Sequence, residues 1–417
     1  MDYELSPEQA KMQQDIDAFC RSEIAPRAGM LDACPRSEVG RRMKENLKTL
    51  ARAGWFEPGH KENSLDLVEV YLAGEAVAKA CPSTCLSARA SAFLCAGGIR
   101  TFGTDAQKSA YLPPLLRAEQ IGAFAWSEPQ AGSDVQAIAS TARKDGASWR
   151  ISGRKDIVVN APIADVILVL AYHDAQAGPE GGMSIFIVEK GAAGLTISDP
   201  LETMGMRGAP ISAVTLQNCE ASGILGDIPG KGYAQHRSML TMGCIGVAAL
   251  CVGVGTACME ISNAYAKERT AFGKRIGMYQ EVGFKLADMF TYNDLGRMLA
   301  LKAAWAINTS PWSLVLETVI LKAAWAINTN DPEAPVLAAC AKLFASEAAT
   351  KIAGWGMQIF AGHGYLAGSH MERLYRDARF GEICEGTSEM QRSLIARTEL
   401  DRFLQAERAD SGSAFVA

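Results

Sequence analysis

Residues 382–397, EICEGTSEMQRSLIAR, set one carboxylate, Glu385, between Cys384 and Gly386. Ser388 followed by Gln391 fits a capping box with Ser388 as the N-cap. Met390, Leu394, Ile395, Leu400, Phe403 and Leu404 then recur at roughly helical spacing. Glu385 is therefore expected on a turn at the mouth of a terminal helix. A carboxylate there is either a partner of the helix dipole or a positioned general base, and spacing alone leaves both open.

Two more segments have chemical potential. AFAWSEPQAGSD, residues 123–134, reads as a strand running into a turn, with Ser127, Ser133 and backbone N–H groups near Gly132. Such a segment holds the polar edge of a planar cofactor, or is an ordinary strand-to-loop junction. KERTAFGKRIG, residues 267–277, groups Arg269, Lys274 and Arg275 around Phe272 and Gly273. Basic groups beside an aromatic clamp a pyrophosphate and a ring, or form a solvated helix end. No G-x-G-x-x-G or G-x-x-x-x-G-K-[ST] is present, and GDIPGKGY reads as a turn, so a Rossmann nicotinamide site and a P-loop are unsupported. The five histidines form no cluster, and Cys81 and Cys85 lack C-x2-C spacing, so no metal is expected.

Composition narrows the rest. At 417 residues the chain is long enough for two or three domains. A net charge of −5 gives no general attraction to nucleic acid or anionic lipid. The 11 cysteines lie in apolar segments and read as reduced, mostly buried thiols. MDYELSPEQAKMQQ has no signal-peptide core, so a cytoplasmic protein is expected. Met242 to Met259 is uncharged and long enough to span a bilayer. Its Gly, Ala, Cys and Val content suits a helix packed on all sides instead, so no membrane span is expected.

Residues 1–120 read as helices, opening with Ser6 as N-cap and Pro7 at the first helical position. Residues 121–235 carry short β-branched runs such as DIVVN, DVILVLAYH and MSIFIVE, which predict a small antiparallel domain. Residues 236–404 turn helical again, and 405–417 read as a frayed tail. The expected class is α+β multidomain: a helical domain, a small β domain and a helical bundle. LKAAWAINT occurs at 301–309 and again at 321–329. An offset of 20 residues turns the second copy by roughly 200° on one helix, so Ser310-Pro311 is expected to break it. The repeat reads as a local tandem duplication that adds a helical excursion.

Taken together, AWSEPQAGSD, ERTAFGK, MQIFAGHGY, ERLYRDAR and EGTSEMQRSLIAR resemble the acyl-CoA dehydrogenases, over about residues 1 to 400. The resemblance implies a helical–β–helical fold with FAD between the β domain and the last helical domain. It implies a homodimer or homotetramer, an acyl-CoA substrate and an electron-transferring flavoprotein as electron acceptor. By motif position, Phe124, Ser127, Ile157, Val159, Thr387 and Glu389 would line the cofactor. Arg269, Phe272, Gln358 and Gly362 would reach it from the neighbouring subunit. Ser133, Cys244 and Arg397 fall at substrate positions, and Glu385 at that of the catalytic base.

Three departures from the family pattern stand out. Ile157 and Val159 replace a Trp and a Thr or Ser beside the flavin. Cys244 replaces an Arg near the substrate, and GWFEPGHKENSLD is short of a Gly-rich acidic loop. These leave two alternatives beside acyl-CoA oxidation. The acyl group could ride on a carrier protein in a biosynthetic pathway, or the chain could be a redox-inactive flavin-binding subunit.

Overall fold

The structure is a computed structural model, and it describes residues 5–56, 60, 61, 64–146, 148–309 and 333–413. Seven helices lead: α1 (Pro7–Phe19), α2 (Ala25–Ala33), α3 (Arg36–Arg52), α4 (Leu67–Ala80), α5 (Pro82–Ala88), α6 (Ala96–Phe102) and α7 (Asp105–Leu116). The first begins as its sequence dictates. Ser6 Oγ accepts from the Gln9 N–H, and the Gln9 side chain accepts from the Ser6 N–H. Between α5 and α6 the chain stays helical but widens into a π-turn over Arg89–Cys95. Such turns re-aim side chains and are frequent at functional sites.

The middle of the chain forms one eight-stranded sheet: β1 (Gly122–Ala125), β2 (Thr141–Asp145), β3 (Ser148–Val159), β4 (Val166–Tyr172), β5 (Met183–Glu189), β6 (Leu195–Ile197), β7 (Ile211–Ala221) and β8 (Gly223–Ile224). The order is β8-β5-β4-β2-β3-β7-β6, with β1 also paired to β4. Most ladders are antiparallel, but β1 runs parallel to β4, Phe124 opposite Leu168. The sheet is therefore mixed rather than wholly antiparallel. Two register shifts interrupt the β3–β7 ladder, one between Lys155 and Val158. At that second bulge Ile157 has φ 57° and stands 64% exposed. A β-branched residue there is strained, and bulges of this kind re-aim a side chain beside a site.

Four long helices and a short one close the fold: α8 (Gly232–Glu268), α9 (Gln280–Thr309), α10 (Glu333–Phe360), the short α11 (His370–Ala378) and α12 (Ser388–Ser413). By length and composition α8 is apolar enough to cross a membrane, yet 83% of that window is buried inside the fold. It packs against α4, α9 and α10. Its small residues allow the close approach: a Cβ at Gly253 would stand 2.4 Å from the Glu75 carbonyl oxygen of α4. All 11 cysteines are free, eight of them buried. The first LKAAWAINT copy ends α9. The second copy, Ser310 and Pro311 lie outside the described residues. Helix α12 continues to Ser413, past the point where the apolar pattern stops.

Candidate active site

Glu385 sits on the turn between α11 and α12, with φ 49°, and Gly386 follows at φ 88°. A left-handed glutamate costs about 1–3 kcal/mol and persists only where its surroundings hold it. Here they do. Buried Lys342 donates from Nζ to the Gly386 carbonyl at 2.6 Å. Gln391 Nε2 donates to the carbonyls of Glu385 and Gly386 at 3.3 and 3.2 Å. The expected capping box is not what forms. The cap is Thr387, whose Oγ1 accepts from the Met390 N–H at 3.4 Å, while Ser388 Oγ is buried without a partner. Helix α12 starts one residue earlier than the box requires, and Gln391 is drawn back to pin the turn.

The Glu385 side chain is 6% exposed and pairs with Arg89 at the start of the π-turn. Arg89 Nη2 donates to Glu385 Oε1 at 2.6 Å and to the Gly243 carbonyl at 3.2 Å. The guanidinium gains proton affinity: burial opposes its charge most strongly, but the Glu385 carboxylate together with nearby Cys384 and Cys85 outweighs that penalty. The other carboxylate oxygen, Oε2, is buried and has no partner. Helix α8 makes room for the pair with two glycines one turn apart. A Cβ at Gly243 would lie 2.1 Å from Glu385 Oε2, and one at Gly246 would lie 2.4 Å from Arg89 Nε. Between them, Cys244 is buried, its Sγ 3.9 Å from Gln391 Oε1. Burial pushes that thiol up to about 12, so it stays neutral.

Strand β1 carries Phe124 toward the same region. Its ring is 4.9 Å from Trp126 and 5.9 Å from His236 of α8. Beyond the strand, the Ser127 carbonyl accepts from the Asp156 N–H at 2.9 Å, which ties the segment to β3. A buried ion pair supports this junction. Lys155 Nζ donates to Glu128 Oε1 at 2.7 Å and to the Trp126 carbonyl at 3.1 Å. Burial pushes the lysine down to about 8. Burial works against the Glu128 charge, but Lys155 and hydrogen bonds from Ser140 and Ala139 hold it down to about 2. His236 is 1% exposed with neither ring nitrogen partnered, and burial with the nearby Lys155 charge pushes it down to about 4.

The remaining expected site residues lie on open surfaces. Ser133 is exposed in the loop after β1, and Glu389 and Arg397 are exposed on α12. Val159 and Thr387 are half-buried. Arg269 caps α8, and Phe272, at φ 49° and 96% exposed, tips the hairpin that follows. Gln358 helps line a cleft of about 610 Å³ with Met357, Tyr365, Tyr375 and Arg376. A Cβ at Gly362 would meet nothing within 4 Å. Ile157 and Phe272 are large apolar groups held outward in left-handed backbone, exposed surfaces compatible with contact to FAD. Among the described residues no cluster could hold a metal ion. Sequence reasoning missed Arg89, Gly243, Gly246 and Lys342. The signal was present for Arg89, the one charge in the stretch CPSTCLSARASAFLCAGGI.

A helical domain, a mixed sheet and a helical bundle, with the Glu385–Arg89 pair held among them, suit a flavin-dependent dehydrogenase. The comparisons match the three parts in order. Residues 6–119, 123–219 and 230–311 with 314–400 match the N-terminal, middle and C-terminal domains of acyl-CoA dehydrogenase. The chain is 36% identical over 405 residues to the Probable acyl-CoA dehydrogenase YngJ of Bacillus subtilis, covering 95% of this chain and 99% of that one. Among solved structures, a glutaryl-coenzyme A dehydrogenase in complex with glutaryl-CoA matches with TM-score 0.86 and 30% identity, over 96% of this chain and 97% of that one. The prolyl acyl carrier protein oxidase AnaB matches with TM-score 0.78 and 29% identity, over 94% and 99%. This chain belongs to the acyl-CoA dehydrogenase family. It is an FAD-dependent oxidoreductase acting on CH–CH groups.

Proposed function

We propose that the protein introduces an α,β double bond into an acyl thioester, with Glu385 as the base. One observation carries the proposal: a buried carboxylate with Oε1 held by Arg89 and Oε2 unpartnered. Oε2 takes the α-proton as that C–H bond breaks, and the hydride leaves from the β carbon. FAD, when bound, supplies the hydride acceptor. The left-handed turn fixes the direction of the base, and Lys342 and Gln391 hold the turn. Among the described residues the Glu385 backbone N–H has no backbone acceptor, and it steadies the thioester oxygen as it becomes enolate-like, by analogy with the family. Phe124, Ser127, Ile157, Val159, Thr387 and Glu389 border the ring system. Arg269, Phe272, Gln358 and Gly362 serve the cofactor of a neighbouring copy. Exposed Phe272, Phe284, Phe290 and Tyr365 support assembly into a dimer or tetramer. Ser133, Cys244 and Arg397 border the thioester arm, and an electron-transferring flavoprotein reoxidises the cofactor.

Anaerobic mixing of the purified yellow protein with a panel of acyl-CoAs tests this. Flavin absorbance bleaches with at least one thioester, and Glu385→Gln, with FAD still bound, slows bleaching by about 10²–10⁴-fold. Equal rates in the two proteins would remove Glu385 from the chemistry. The likeness to a carrier-protein oxidase favours a second handle. Bleaching only by an acyl carrier protein thioester would select it, and no bleaching by any thioester would leave a redox-inactive flavin-binding subunit.

A further inference from the structure

We infer that Lys342 is an electrostatic positioning residue for the base, serving the reaction by its charge rather than by its hydrogen bond; this inference rests on the dehydrogenase function proposed above. Lys342 stands on α10, is 0% exposed and forms no ion pair among the described residues. Its Nζ donates instead to a neutral group, the Gly386 carbonyl, at 2.6 Å. Burying a charge without an opposite one beside it is costly. The hydrogen bond alone does not account for that cost. The Gly386 carbonyl also accepts from Gln391 Nε2 at 3.2 Å, so the turn keeps a donor without the lysine. A methionine, equally long and unbranched, would fill the same space with no charge to bury.

The groups around the lysine identify what its charge acts on. Burial raises the Cys244 and Cys384 thiols, Glu385 raises both further, and Lys342 and Arg89 oppose the rise. The two cations and the base therefore share one enclosure. Three thiols stand in it, Cys244 and Cys251 of α8 and Cys384 of the turn, and burial keeps all three neutral. Its carboxylates are Glu385, held by Arg89, and Glu382, held by Arg379. On the other helices packed against α10, Arg392 of α12 pairs with Glu347, Arg297 of α9 with Glu75, and Arg376 of α11 with Asp32. None of these supplies an anion for Lys342, which is the surplus charge behind the base. In the reaction Glu385 Oε2 gains a proton as the Cα–H bond breaks, and the bonding pair moves toward the thioester oxygen. The base loses its negative charge and the substrate gains one. A fixed cation behind the turn favours the ionised base before transfer and offsets the charge on the substrate during it, with no reorganisation. Lys342 acts through the turn and is itself fully enclosed.

Flavin reduction by the best thioester is followed anaerobically, against pH and concentration, in wild-type holoenzyme, Lys342→Gln and Lys342→Met, with FAD content read from absorbance. Glutamine keeps a donor for the Gly386 carbonyl and drops the charge, whereas methionine drops both. In both variants the pH of half-maximal rate rises by about one unit, equal to about tenfold in rate below it, and kcat falls while KM changes little. A mere tether behaves differently: Lys342→Gln would keep the wild-type rate and pH profile while Lys342→Met slows, and that result overturns the inference. A rate that falls in both variants with the pH midpoint unmoved overturns it too. Loss of FAD from both would make the lysine structural and has the same force, whereas if Lys342→Met alone loses FAD, Lys342→Gln decides. Each of these results leaves the dehydrogenase function standing. No flavin reduction in the wild type by any thioester, CoA-borne or carrier-borne, overturns that function and this inference with it.

Discussion

A methyl group at position 243 is aimed at the base and at almost nothing else. In Gly243→Ala the new Cβ would lie 2.1 Å from Glu385 Oε2 and 3.1 Å from its Cδ. The next neighbour, Leu94 Cδ2, is at 3.8 Å, an ordinary contact. Ordinary contact begins near 3.4 Å, so Oε2 must retreat by about 1.3 Å (3.4 − 2.1). A displacement of about 1 Å at a reacting atom costs roughly 10²-fold in rate, or about 2.7 kcal/mol of barrier. The helix responds in the opposite sense, because replacing an interior glycine by alanine gains up to about 1 kcal/mol of helix propensity. Overpacking against the buried pair costs about 1–3 kcal/mol, so the variant is expected to fold with stability lowered by no more than about 2 kcal/mol and to retain FAD, while flavin reduction by its best thioester slows by about 10²-fold. Stopped-flow absorbance measures the rate and chemical denaturation measures stability. Gly283→Ala, where nothing lies within 4 Å of the added Cβ, is the control that leaves the rate alone. A Gly243→Ala enzyme that reduces its flavin at the wild-type rate would refute the placement of Oε2 as the working atom.

Three other outcomes are expected. The unfolded His236 imidazole takes a proton near pH 6.5, but the folded one only near 4, so the unfolded chain protonates first as the pH falls. Stability is lost between those values, by up to about 3 kcal/mol, and His236→Phe flattens that part of a pH-dependent denaturation series. Lys155→Met strands the buried Glu128 carboxylate and lowers stability by about 3–5 kcal/mol, whereas adding Glu128→Leu recovers most of it in the same assay. Phe272→Ala, at a residue 96% exposed in the single chain, shifts the protein toward smaller species in sedimentation and weakens FAD retention. Unchanged assembly and cofactor content would remove Phe272 from any interface.

The order of helical, β and helical segments was legible because each has its own period: 3.6 in α1 and α3, 2 in the β runs. The buried fate of the uncharged run in α8 was legible from its small residues, which pack closely but offer little to lipid. The pairing of β1 with β4 was not legible, because Gly122 and Val166 are 44 residues apart and no local pattern encodes which strand lies beside which. The cap of α12 was misplaced by one residue, since Thr387 and Ser388 are both good caps and only the pull of Gln391 toward the turn separates them. Glu385 was legible through its neighbours in sequence. Arg89 was not, because its partner lies 296 residues away and its position on a π-turn has no sequence signature. A lone arginine in an apolar stretch still announces a buried partner, even when it does not say which.

Helix α8 is 37 residues long, roughly 55 Å of continuous rod. It meets the Glu75 carbonyl of α4 at Gly253 and seats the carboxylate at Gly243, about 15 Å further along. Its rise and tilt at the reacting centre are therefore set by how tightly the amino-terminal helices grip its far portion. Substitutions at that distant grip, which never meet substrate or flavin, act as adjusting screws on the working distance of the base, and evolution could retune the rate there while leaving every group in the pocket untouched.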